Sequence, residues 1–283
     1  MEKSFGFSGA GRPRYRKDNA MTFILFDAEY RVDHEAHASY LAAERTEAGA
    51  VDLPERDPRV TPRWPFRRPV AISWMTLEWD EQDIPTPVTL RTMGCPEHSE
   101  AEMLRAFFAD ISSVGEIDLV SWGGAGTDLP QLMLSASMHG ITLPECLQAF
   151  GRPFDMRDRR HTDLMLAMGH SGARVHMAEM AAALDIPVKP IGAPTAVAGY
   201  IEAGKWSLVK ATAEADVLTL GCLLAYYLQL TTPSCAASMC DRIASYAAKM
   251  THRPFADDFL KYRDRLRAAA LAEAQSSCHR LAA

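Results

Sequence analysis

Nothing in this chain of 283 residues approaches the roughly 20 consecutive apolar residues that a bilayer-spanning helix needs. The opening segment MEKSFGFSGAGRPRYRKDNA is basic but carries no apolar core, which excludes a secretory signal. Cysteine is scarce and unpatterned: Cys95, Cys146, Cys222, Cys235, Cys240 and Cys278 include no C-x-x-C pair and no histidine at zinc-site spacing. That argues against a disulfide scaffold or a zinc site, and for reduced thiols in a cytoplasmic protein. Positive charge is not in surplus either: 30 Lys and Arg against 36 Asp and Glu leave a net charge of −6. Such a balance excludes a protein that coats nucleic acid through its whole surface, but not an enzyme that meets it in one groove. Basic clusters at Arg12, Arg14, Arg16 and Lys17, at Arg63, Arg67 and Arg68, and at Arg152, Arg157, Arg159 and Arg160 read singly as solvated loop charge. Internal repeats and low-complexity tracts are also lacking.

What is present is a core: 48% of the residues are hydrophobic, enough for one large domain or two small ones. Residues 1–20 are polar and basic, and are expected to be poorly ordered. Met21 then precedes FILFDAEY, which reads as a buried strand. Residues 31–68 read as a charged, proline-bearing insertion with a short helix from His34. PVAISWMTLEW and TPVTLRTM read as a hairpin closed by DEQDIP. HSEAEMLRAFFADISSV has helical apolar spacing with Ser99 as cap. IDLVSW is a short buried strand, GGAG a tight turn and DLPQLMLSASMHG a helix. HTDLM follows as a possible strand, VHMAEMAAAL and PTAVAGYIEAG as helices, then a long helix from Trp206 to Leu230. The tail from 236 to 281 reads as helical and broken near Pro254. Strands first, then strands alternating with helices, predict an α/β sandwich around a mixed sheet.

Four acids stand out. Residues two apart on a strand share a face, so Asp27 and Glu29 at the end of FILFDAEY lie side by side and repel. Asp128 opens the helix after the glycine turn, where the orphan N–H groups favour an acid. The glycines there lack both the lysine of a P-loop and the spacing of a dinucleotide turn. Asp216 lies beside the apolar stripe of the long helix, with Thr212 one turn earlier on the same side. An ionised group against a buried stripe needs a partner.

FILFDAEY, LVSWGGAGTDLPQL, RHTDLM and AEADVLTLGCLLAYYL, in that order, resemble the stand-alone exonucleases similar to the proofreading domain of family B DNA polymerases. These belong to the ribonuclease H-like superfamily with an Asp-Glu-Asp-Asp metal site. The resemblance implies a mixed sheet flanked by helices over residues 21–232, with 233–283 a C-terminal helical extension packed on it. It implies a 3′–5′ exonuclease that works on nucleic acid, at a single-stranded 3′ end, with two divalent ions, Mg²⁺ or Mn²⁺. Asp27 would bridge both ions, Glu29 and Asp216 would complete one site, and Asp128 would hold the other ion through water. Oxygen ligands suit either metal.

Two positions depart from that family. It places a tyrosine four residues before the last aspartate, or a histidine five before it, to orient or deprotonate the attacking water; here those positions are Thr212 and Ala211. It also has an asparagine and an aromatic where this chain has Gly123 and Thr127. A threonine hydroxyl is not basic near neutral pH. His170 or His161 is the candidate replacement base, and Asp163 of RHTDLM is either a site residue or a structural acid. A general base contributes about 10²–10⁴-fold, so its loss slows such an enzyme without abolishing metal-assisted chemistry. The alternative is a catalytically lapsed module that binds nucleic acid or a partner.

Overall fold

β1 (Thr22–Val32) runs through the centre of a five-stranded sheet and carries the first two acids past its neighbour's end. The computed structural model describes residues 21–43, 57, 60–148, 160–169, 174–188, 191–192, 194–230 and 235–282. The expectation for residues 1–20, and His170, fall outside these. After β1 come α1 (His34–Ala43), β2 (Arg67–Trp79), β3 (Pro85–Gly94), α2 (Glu100–Ser113), β4 (Ile117–Ser121), α3 (Asp128–Met138) and α4 (Glu145–Gln148). β5 (His161–Asp163), α5 (Leu164–Gly169), α6 (Met177–Ala183), α7 (Pro194–Glu202), α8 (Trp206–Gln229), α9 (Cys235–Ala248) and α10 (Ala256–Ala282) complete the chain. HTDLM therefore divides: three residues pair with β4, and the helix α5 begins at Leu164.

The strand order is β3-β2-β1-β4-β5. β1 pairs antiparallel with β2 and parallel with β4, β2 pairs antiparallel with β3, and β4 parallel with β5. This mixed sheet with helices on both faces is the ribonuclease H-like architecture. Alternation along β1 divides its side chains between two cores. Phe23 and Leu25 pack with Met75, Leu77, Val120 and the apolar side of α8. Ile24, Phe26 and Ala28 pack with Trp74, Phe107, Leu119, Leu129 and Leu132, under α2 and α3. Full burial of one such side chain is worth about 1.5–3 kcal/mol. α2 begins where its sequence says it should: the Ser99 side chain accepts from the Glu102 amide, and the Glu102 carboxylate accepts from the Ser99 amide at 2.8 Å.

α8 is buried on nearly all sides from Ala211 to Ala225, because it lies between the sheet and the helices α5, α6, α7 and α9. Gly221 permits its close approach. A Cβ there would stand 2.9 Å from Met75 and Ile243 side-chain atoms and 3.4 Å from Leu25. α9 covers the edge strand β3, where the Tyr246 hydroxyl accepts from the Leu90 amide at 3.0 Å. Among the described residues no helix is long and apolar enough to cross a membrane.

A buried ion pair ties the turn before α10 to α8. Arg253 donates to Glu214 at 2.6 Å, and the Glu214 side chain is only 3% exposed. Burial pushes the Glu214 carboxyl above its ordinary value even with that guanidinium beside it. Removing one partner strands the other. Arg253→Met should therefore destabilise the protein by about 3 kcal/mol in urea denaturation at pH 7, and adding Glu214→Leu should restore most of the loss.

Candidate functional site

Pairing between β1 and β4 stops at Leu25 and Val120, whereas β1 stays paired with β2 as far as Val32 and Arg67. Asp27 and Glu29 therefore project beyond the end of β4, where no described strand pairs with that side of β1. Between Glu29 and Tyr30 the register with β2 shifts, Glu29 facing Ala71 and Tyr30 facing Pro69. Such bulges re-aim side chains at strand ends. Asp27 and Glu29 share the α8 face of the sheet with Leu25, and α8 delivers Asp216 to the same place. One oxygen from each of Asp27, Glu29 and Asp216 lies within 4.8 Å of the others. Asp216 is buried and the two strand acids are half-buried. An all-oxygen set of three acids at that spacing fits a hard divalent cation.

Asp128 lies outside this triplet and arrives from the other face, at the first turn of α3. The turn before it is built for close approach. Gly123 has φ +73°, a conformation that suits glycine. A Cβ on Gly124 would meet the Ser121 hydroxyl at 2.4 Å and the Asp128 carboxylate at 3.1 Å, so only glycine fits. Asp163 holds the turn together. Its Oδ1 accepts from the amides of Gly123 at 2.8 Å and Met165 at 3.1 Å, and its Oδ2 from that of Ala125 at 3.1 Å. Of its two sequence readings the structural one fits this geometry, since both oxygens face backbone amides. Sequence inspection had no signal for that role, which depends on a contact across some 40 residues of chain.

Asp128 is buried, and its removal from water raises its carboxyl to about 6, with the nearby Asp163 adding to the rise and Tyr30 and Thr127 opposing it. Tyr30 was not singled out by the sequence. It continues the apolar alternation of Ile24, Phe26 and Ala28, which hides a polar group in a core pattern. Burial first, then Asp128, Asp27 and Glu29, raise its phenol well above the ordinary value. Thr212 is buried, and its hydroxyl donates to the Leu208 carbonyl at 2.9 Å, one turn back in α8. His161 shares a 2.8 Å hydrogen bond with the Ser121 hydroxyl, and its ring centroid lies 6.3 Å from that of Phe26.

A family model described as a predicted 3′–5′ exonuclease related to the exonuclease domain of PolB matches residues 62–261, most of the chain. The match includes Asp128 and Asp216 and starts after β1, so Asp27 and Glu29 join the site through geometry. Among solved structures, the family B DNA polymerase of the hyperthermophilic archaeon Pyrobaculum calidifontis is similar at 14% identity and a TM-score of 0.48, over 82% of this chain and 29% of the polymerase. E. coli exonuclease I, solved in complex with a dT13 oligonucleotide, is similar at 13% identity and a TM-score of 0.39, over 75% of this chain and 41% of that enzyme. The chain thus spans less than half the length of either. No curated protein matches it.

The raised Asp128 carboxyl has a consequence for stability. Folding favours its neutral form, so its stabilising contribution is complete below the ordinary carboxyl value of 3.8 and is lost as pH rises through about 6. A shift of that size corresponds to at most about 3 kcal/mol. In EDTA at pH 8, Asp128→Asn should be more stable than the native chain by about 1–3 kcal/mol. By pH 4 the advantage should vanish. Urea denaturation at both pH values measures the difference.

Proposed function

The chain belongs to the family of predicted 3′–5′ exonucleases related to the exonuclease domain of PolB, and we propose that it is an active, metal-dependent member that hydrolyses phosphodiester bonds at the 3′ end of nucleic acid. The observation that carries this reading is the approach of Asp27, Glu29 and Asp216 to within 4.8 Å across most of the chain's length. A fold gains nothing from three clustered carboxylates unless a cation offsets their repulsion.

In this reading Asp27, Glu29 and Asp216 would hold one divalent ion, and Asp27 with Asp128 would hold a second, Asp128 acting through water. Mg²⁺ or Mn²⁺ bound there would stabilise the attacking and leaving oxygens of the phosphodiester. The protein's own part is placement. β1 presents two ligands on one face, α8 supplies the third from dry packing, and the first turn of α3, set by the glycine turn, would supply Asp128. The part of β1 beyond the end of β4 is the natural approach for a single-stranded 3′ end, since open sheets bind ligands beyond the strand ends. The cysteine pattern supports a cytoplasmic location.

The water-orienting group is the weak point of the site. Thr212 stands where the resembling family has tyrosine, and its hydroxyl is engaged by Leu208. His161 is likewise engaged, by Ser121. This favours a slow enzyme, with a catalytically lapsed nucleic-acid-binding or partner-binding module as the second reading.

The assay follows a 3′-labelled single strand with Mn²⁺ and then EDTA. Native protein should shorten the strand slowly, EDTA should stop it, and Asp216→Ala should abolish it. Thr212→Tyr should raise the rate, by no more than the usual general-base contribution of about 10²–10⁴-fold, because 212 and 216 lie one helical turn apart on the same side. A folded Thr212→Tyr protein no more active than Asp216→Ala in either metal would establish the lapsed module instead.

A further inference from the structure

We propose that Trp64, with Arg63 and Arg67 beside it in sequence and Arg31 on the neighbouring strand, forms a platform that grips a single nucleic-acid strand upstream of the carboxylates. A base stacks on the indole and the arginines take phosphates. This deepens, and rests on, the nucleic-acid reading of the preceding section, and it gives the charged insertion between residues 31 and 68 a task.

The described ends of that insertion fold back on the end of β1. Beyond Glu29 the pairing of β1 with β2 continues through Arg31, opposite Arg68, and Val32, opposite Arg67. One step further, the Asp33 amide donates to the Phe66 carbonyl at 2.7 Å. At about 3.3 Å per residue, Arg67 lies roughly 10 Å along the sheet from the level of Glu29. Trp64–Phe66 is a 3₁₀ turn stiffened by Pro65. It packs against α3, the helix that Asp128 opens. Within the turn Phe66 is the anchor, its ring 5.1 Å from His37 and 5.5 Å from Tyr40, both on α1. Trp64 takes no part in this cluster. It is 40% exposed, and every other described aromatic side chain is less so. An indole held rigidly at the surface offers a flat apolar face on which a base can stack.

The charge around the indole selects the partner. Arg31, Arg63 and Arg67 are exposed, and among the described residues none of the three forms an ion pair. Arg68 is engaged within the fold: it lies 3.2 Å from Asp33 and donates to the Pro65 carbonyl at 3.1 Å. Asp33 is thereby neutralised while it caps α1, accepting from the Ala36 amide at 2.9 Å. Arg31 follows Asp27 and Glu29 on the same face of β1, in line with the acids. In a chain of net charge −6, three cations around a planar ring match a polyanion with exposed base faces. A duplex hides those faces inside its stack, so the partner is a single strand.

Fluorescence anisotropy of a labelled oligothymidylate, in EDTA so that the strand stays whole, reads binding by the full chain. Native protein should bind it with an affinity that falls with salt, and more tightly than a blunt duplex of the same length. Trp64→Ala should weaken binding about 10-fold, the loss expected for one stacked base, and Trp64→Phe, which keeps a ring, should recover most of it. Arg67→Gln should make the slope of log affinity against log salt shallower by about 0.7, one phosphate contact. Melting temperatures of these variants should match that of the native chain, because the side chains are exposed. Equal affinity in Trp64→Ala and native protein, or tighter binding of the duplex, would overturn the platform; strand shortening in Mn²⁺ would then leave the exonuclease reading intact. The Trp64 loss in a protein that never shortens the strand would support the platform and end the exonuclease reading. A native chain that binds no single strand would end the platform.

Discussion

Mutual repulsion among Asp27, Glu29 and Asp216 is the constraint around which the molecule is organised. Each pair of ionised carboxylates at about 4 Å costs on the order of 4 kcal/mol at an effective dielectric of 20, and the three lie within 4.8 Å of one another. Apolar packing holds them there. Leu25 lies two residues before Asp27 in the same core as Val217, Leu220 and Leu224 of α8, and Gly221 lets that helix press against Leu25 and Met75. α9 closes over the outer side of α8 and over the edge strand. The acids stay together because the elements that carry them are fixed by a core much larger than the site.

The fourth acid is held by different means. Asp128 depends on the geometry of a turn, and that turn depends on Asp163, whose carboxylate gathers amides from Gly123, Ala125 and Met165. Three acids thus rest on sheet and helix, while the fourth rests on the hydrogen bonds of a turn.

Much of this was legible in the sequence, for identifiable reasons. The capped start of α2, the hairpin of β2 and β3, and the long α8 follow from local periodicity and from Ser99, which act over one or two turns of chain. The Asp27 and Glu29 pair could be read because strand spacing alone puts two charges on one face. Asp216 was legible as an acid beside an apolar stripe. What escaped depends on contacts between distant segments. Asp163 resembles any strand-end acid until the amides of the 123–125 turn are beside it. Tyr30 reads as one more core residue, and only the fold sets its phenol under the influence of Asp128, Asp27 and Glu29. His161 and Thr212 were legible as polar side chains, but their partners, Ser121 and the Leu208 carbonyl, fix how they are used.

Anomalous diffraction from crystals of the full chain soaked in Mn²⁺ tests the central claim most directly. The account predicts a Mn²⁺ peak touching carboxylate oxygens of Asp27, Glu29 and Asp216, with a second peak beside Asp27 on the side facing Asp128. Manganese bound elsewhere on the protein, with the Asp27, Glu29 and Asp216 carboxylates left without a peak, would contradict it.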